Sequence, residues 1–217
     1  NYWPLVRKVC DKFGVLLIAD EVVTGFGRTG QMFGTRLWGV QADLMCLAKG
    51  ISSGYVPLGA TAISGKVVQA FAGADPAVGN LSHGYTYSAH PVAAAAALAT
   101  LDILEAENIP ANAAKQGERL LGALAGFERK FRSVGNVRGK GLMVCLEMVA
   151  DKKTKQPFPR GADAPARVAK AAYRRGAMVR YSGGNIILSP ALTIQAAEID
   201  LIVAALEGAF EELEAGL

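Results

Sequence analysis

The sequence predicts an α/β fold, and three observations predict it. Short, nearly continuous apolar runs at Val15 to Ala19, Leu44 to Ala48 and Ala60 to Ser64 have the length of strands in a sheet covered on both faces. Segments with apolar residues at helical spacing flank these runs, from Trp3 to Phe13 before them and from His90 after them. After Ser133 the pattern changes to short strands mixed with amphipathic helices. A sheet-containing lobe is therefore expected over 1–107 and a smaller α+β lobe over 108–217.

In chain order, Leu5, Val6, Val9, Cys10 and Phe13 place a helix over Trp3 to Phe13, with Gly14 as its stop. The first strand follows at once, and a Gly-rich segment from Gly25 to Gly39 leads to the second. The Ala-rich stretch from His90 to Ala106 predicts a helix, with Pro91 tolerated in its first turn. Another helix is expected from Ala113 to Phe127, with Asn112 as its N-cap, and this helix pair is expected to bridge the lobes. Leu142 to Val149 reads as a strand and Asp151 to Gly161 as a polar loop. Pro165 to Gly176 reads as a helix, followed by strands at Met178 to Tyr181 and Ile186 to Leu188 and a closing helix from Ala196 to Leu213.

Composition excludes several function classes. Of 217 residues 51% are apolar, but no uninterrupted apolar run approaches ~20 residues, so no membrane span is expected. Asn1 opens no basic and apolar leader and reads as mid-protein. Cys10, Cys46 and Cys145 are odd in number and lack a metal-binding spacing, which predicts reduced thiols, a cytoplasmic setting and no metal site. The net charge is +4, but the basic residues are scattered without interleaved aromatics, against a nucleic-acid partner.

Gly25-Phe26-Gly27-Arg28-Thr29-Gly30 matches a dinucleotide-binding fingerprint letter for letter. Its context does not: Asp20 to Thr24 intervene after the strand, and Gln31 to Gly39 lacks a helical apolar period. The glycines read instead as a loop passing close to something bound.

Asp20 and Lys49 end the first two apolar runs. If those runs are neighbouring parallel strands, both groups emerge at the same carboxyl edge, where ligands of open α/β sheets bind. That pairing suits pyridoxal phosphate, whose aldehyde condenses with a lysine and whose ring nitrogen is kept protonated by a carboxylate. Taken alone, Asp20 also reads as a turn cap and Lys49 as a solvated surface lysine.

The run Ile18-Ala19-Asp20-Glu21-Val22-Val23-Thr24-Gly25-Phe26-Gly27-Arg28-Thr29-Gly30, with Leu47-Ala48-Lys49-Gly50, resembles the class III pyridoxal-phosphate aminotransferases. Gly84-Tyr85-Thr86-Tyr87-Ser88-Ala89-His90-Pro91 is a second match, and Arg180 in Ala177-Met178-Val179-Arg180-Tyr181 a third, to the ω-amino-acid and amine:pyruvate branch. The resemblance implies a fold-type I transferase, with part of the large-domain sheet followed by the C-terminal small domain. It implies that Lys49 carries the internal aldimine and shuttles the substrate proton, that Asp20 faces the pyridinium nitrogen, and that Val22 packs on the ring. Tyr85 and Thr86 would lie at the phosphate of the cofactor in the other subunit, and Arg180 would grip a substrate carboxylate. His83 and His90 read as structural.

The resemblance covers the whole chain but only the later half of such an enzyme. The Ser/Gly phosphate cradle and the aromatic residue on the ring's other face are absent, so the N-terminal half of the same enzyme is expected as a separate partner beside a homodimeric one. Transamination from an amine or ω-amino acid to pyruvate is the implied reaction. An aminomutase, a decarboxylating transaminase and an inactive regulatory relative remain as alternatives.

Overall fold

A computed structural model describes residues 1–72, 75 and 83–217, and its internal contacts divide the chain into two units, Asn1–Pro110 and Ala111–Leu217.

The first unit opens with helix α1 (Tyr2–Phe13), which ends at Gly14 in the left-handed conformation, φ 66°. Strand β1 (Ile18–Asp20) pairs in parallel with β2 (Leu44–Leu47), which pairs antiparallel with β3 (Ala60–Ile63). The first strand is shorter and later than the apolar run predicts. The Val15 amide returns to the Cys10 carbonyl, and the Leu17 amide donates to the Asp43 carboxylate at 2.8 Å, so neither enters the ladder.

Leu17, Ala19, Val40 and Ala42 form a small core on which Trp3, Val6, Cys10 and Met45 pack, so α1 covers one face of the sheet. The opposite face carries Ile18 and Ile63, which are exposed, in place of the two covered faces that the apolar runs predict. Asp43 ties α1 to this core by accepting from Arg7 at 2.7 Å as well as from Leu17. The Leu17 amide first and the Arg7 guanidinium second hold its carboxyl below the ordinary value. Helices α2 (Gly65–Ala72) and α3 (Pro91–Ala106) complete the unit. Pro91 stands in the first turn of α3, and Ala93, Ala97, Thr100 and Leu104 form its buried stripe.

In the second unit a four-stranded antiparallel sheet has the order β4-β5-β7-β6, with β4 (Val134–Lys140), β5 (Met143–Met148), β6 (Arg180–Ser182) and β7 (Asn185–Leu188). Gly183 and Gly184, at φ 54° and 83°, supply the two positive φ values that a tight β6–β7 hairpin requires. Helices α4 (Ile109–Leu124), α5 (Phe127–Lys130), α6 (Ala164–Arg174) and α7 (Ala196–Ala215) accompany the sheet. Leu120, Leu146, Ile186, Leu206 and Phe210 are fully buried in the shared core. Gln195 and Glu198 close a capping box at the start of α7.

Two helix boundaries differ from expectation. Asn112 lies inside α4 rather than capping it, because its amide donates to the Leu192 and Ile194 carbonyls at 2.7 and 3.2 Å. The helix also stops at Leu124, and Phe127 opens the separate short α5.

Candidate active site

The parallel register Ile18 with Leu44, Ala19 with Met45 and Asp20 with Cys46 brings Asp20 and Lys49 to the same carboxyl edge of the first sheet. Asp20 is the last residue of β1, and its Oδ1 accepts the Val22 amide at 3.0 Å. That bond is the turn cap read in the sequence, and it occupies one oxygen; among the described residues no donor reaches Oδ2. Since β1 ends at Asp20, strand alternation does not extend to Val22, which lies in the following turn.

Lys49 opens a short 3₁₀ turn (Lys49–Ser52) with φ 47°, a left-handed conformation disfavoured for residues other than glycine. Its side chain is exposed, and among the described residues no carboxylate pairs with it. A cleft of about 520 Å³ lies beside it, lined by Ser52, Val56, Pro57 and Leu58 among others. The Ser52 hydroxyl donates to the Val56 carbonyl at 2.6 Å and folds the cleft wall back on itself.

The Gly-rich loop is organised by a residue without a role in the sequence reading, Glu21, which is only 1% exposed. Its two carboxylate oxygens accept the amides of Gly34 and Thr35, both at 2.8 Å, and the Thr24 hydroxyl. A buried carboxylate is retained when its lone pairs are satisfied in this way. Within the loop, burial lowers the pKa of the Arg28 guanidinium from its ordinary value.

Tyr85 and Thr86 lie in the turn leading into α3 and are exposed. There the Ser88 hydroxyl accepts the Tyr85 amide at 2.8 Å, and the Ser88 amide donates to the Tyr85 carbonyl at 2.9 Å. His83 and His90 make ring contacts with Tyr85 and Tyr87, at 5.4 and 5.9 Å. Helix α3 packs against the turn that carries Lys49. Arg180 belongs to the second unit, where it is the first residue of β6, paired with Ile187, and is exposed.

The donor set at the sheet edge fits pyridoxal phosphate. Among the described residues it offers a primary amine with no carboxylate pairing and a carboxylate with one oxygen free of hydrogen bonds, the two groups that an aldehyde and a pyridine nitrogen require. No cluster of three metal-ligating side chains occurs among the described residues. No helix among them is long and apolar enough to cross a membrane.

Comparison with known proteins agrees with this chemistry. The aminotransferase class-III family model matches residues 1–210. An uncharacterized aminotransferase of Sinorhizobium fredii is 45% identical, over 96% of this chain and 45% of its own length. The taurine–pyruvate aminotransferase of Bilophila wadsworthia is 40% identical, over 99% of this chain and 48% of its own. The structure of an amine transaminase from an uncultivated Pseudomonas species, in its PLP-bound internal aldimine form, superimposes with a TM-score of 0.95 at 53% identity, covering 98% of this chain and 48% of the other. An (S)-enantioselective ω-transaminase from Thermomicrobium roseum gives 0.92 at 46% identity, covering 98% of this chain and 47% of the other. The chain spans about half the length of the curated relatives it matches. With its α/β fold of the fold-type I transferases, it belongs to the class-III aminotransferases.

Proposed function

We propose that this chain is the lysine-bearing half of a pyridoxal-phosphate-dependent aminotransferase that moves the amino group of an ω-amino acid or primary amine to pyruvate. The observation that carries the proposal is the placement of Asp20 and Lys49 at the carboxyl ends of two adjacent parallel strands. The taurine–pyruvate and putrescine–pyruvate specificities in the names of two relatives support pyruvate as acceptor.

When bound, the cofactor supplies an aldehyde that condenses with amines and a protonated ring that accepts electrons from the substrate carbon. Lys49 would hold the cofactor through Nζ, and the same nitrogen would carry the proton taken from the substrate carbon. The Asp20 carboxylate would keep the ring nitrogen protonated. Opposite charges at salt-bridge separation attract by about 4 kcal/mol at an effective dielectric of about 20, equivalent to roughly three pKa units. Val22 would pack against the ring, and Tyr85 and Thr86 would contribute to the phosphate site of a homodimeric partner. Arg180 orients a substrate carboxylate through two parallel hydrogen bonds.

In this reading the first unit is part of the cofactor-binding large domain and the second is the small domain of a cytoplasmic enzyme. The N-terminal half of the same enzyme covers the sheet face that bears Ile18 and Ile63. The test is amino transfer by the assembled enzyme from taurine, putrescine or another amine, with pyruvate, 2-oxoglutarate or no acceptor. Alanine formation that requires both amine and pyruvate is expected. Turnover without any acceptor would overturn the proposed reaction.

A further inference from the structure

We propose that Phe26 is a positioning residue for Lys49, acting through the backbone of Gly50. This inference rests on the proposed role of Lys49 and extends it to the Gly-rich loop. Phe26 is 3% exposed, too deeply buried to meet substrate, and its own backbone is left-handed at φ 60°. Two non-glycine residues in this conformation, Phe26 and Lys49, therefore stand on elements that touch each other. Such conformations persist where the surrounding structure enforces them.

The contact is specific. A Cβ placed on Gly50 would lie 2.9 Å from Phe26 Cβ, 3.3 Å from Cδ2 and 3.4 Å from Cγ, so the Phe26 side chain occupies the space that any other residue at 50 would need. Phe26 cannot easily withdraw. Its amide donates to the Met32 carbonyl at 2.6 Å, and its ring meets Phe33 edge to face at 5.7 Å. Phe33 immediately precedes Gly34 and Thr35, whose amides are held by the buried Glu21 carboxylate. The chain of contacts runs from Glu21 through Phe33 and Phe26 to Gly50, and it fixes the turn from which the Lys49 side chain leaves. The turn's own amide bonds, Ile51 to Ala48 and Ser53 to Gly50, both at 3.2 Å, lie at the long end of the ordinary range, and the Phe26 contact adds to them from outside the turn.

The test is a double-mutant cycle on the assembled, cofactor-stripped enzyme. Lysine capture of pyridine-4-carboxaldehyde is trapped with cyanoborohydride and mapped by peptide mass spectrometry. Phe26→Ala should slow capture at Lys49 about tenfold and speed amide exchange in residues 49–53, while Phe26→Tyr, which keeps the ring, restores both. Gly50→Ala should slow capture by a similar factor in the wild-type background, where the new methyl meets Phe26, and by less than twofold when added to Phe26→Gly, where Cβ as well as the ring is gone. Additive effects, or equal capture by all four proteins with unchanged exchange in 49–53, would overturn the positioning role. Capture at other lysines and never at Lys49 in the wild-type enzyme would instead refute the role of Lys49 itself.

Discussion

Replacing Glu21 by Ala should open the Gly-rich loop without touching the residues proposed to meet the cofactor. The substitution removes the acceptor from two buried amides, Gly34 and Thr35, each now bonded at 2.8 Å. A buried donor left without a partner costs about 1–3 kcal/mol, so the two amides together predict about 2–6 kcal/mol of local destabilisation. The Thr24 hydroxyl is half-buried and can rotate towards water, so it adds little. Glu21→Gln keeps one acceptor oxygen but turns an N–H towards the second amide, and about half the loss is expected. Hydrogen exchange of the peptide covering residues 25–39 in the assembled enzyme reads this directly. At a factor of ten per 1.4 kcal/mol, the lower bound corresponds to about 30-fold faster exchange in Glu21→Ala, with Glu21→Gln between it and the wild type. Exchange within threefold of the wild type in Glu21→Ala would refute the claim that this carboxylate holds the loop.

Asp43 links stability to pH. Its folded pKa lies below the ordinary 3.8, so the stability it contributes is present above that value and is lost as pH falls through the folded pKa. Urea unfolding midpoints should therefore fall more steeply below about pH 4 in the wild type than in Asp43→Asn, and parallel curves would contradict this. Arg180→Ala should raise KM for pyruvate by tenfold or more while leaving KM for an uncharged aldehyde acceptor within about twofold; equal changes would remove its carboxylate role. Gly117→Ala would place a Cβ 2.2 Å from the Gly141 carbonyl oxygen. The overpacking cost of about 1–3 kcal/mol outweighs the helix-propensity gain of up to about 1, so a lower melting temperature is expected in a thermal shift assay, and an unchanged or raised one would count against the close approach of α4 to the β4–β5 turn.

What the sequence disclosed, it disclosed through strong local signals. Apolar runs followed by Asp20 and Lys49 located β1 and β2, and the structure supplies the parallel pairing that the sequence reading took as its condition. Other features had no such signal. Strand β4, with Gly135, Asn136 and Gly139, lacks apolar alternation because close packing, not hydrophobicity, selects those glycines. A Cβ on Gly139 would lie 2.4 Å from the Met143 carbonyl oxygen, and one on Gly135 would lie 2.8 Å from the Val149 side chain. Helix α2 was unread because eight residues with a central Val-Val pair give a weak period. Glu21 and Phe26 were hidden for a different reason: their work is done by contacts with residues 13 and 24 positions away, Gly34 and Gly50, which spacing within a segment cannot reveal.

The central claim is that Lys49 and Asp20 together hold pyridoxal phosphate. Borohydride reduction of the cofactor-loaded enzyme, followed by peptide mapping, tests it most directly, with Asp20→Asn run in parallel. The account predicts a pyridoxyl mass on the Lys49 peptide in both proteins, with amino transfer at least 100-fold slower in Asp20→Asn, the rate equivalent of about 3 of the 4 kcal/mol attraction. A pyridoxyl group on any other lysine, or full transfer activity without the Asp20 carboxylate, would contradict it.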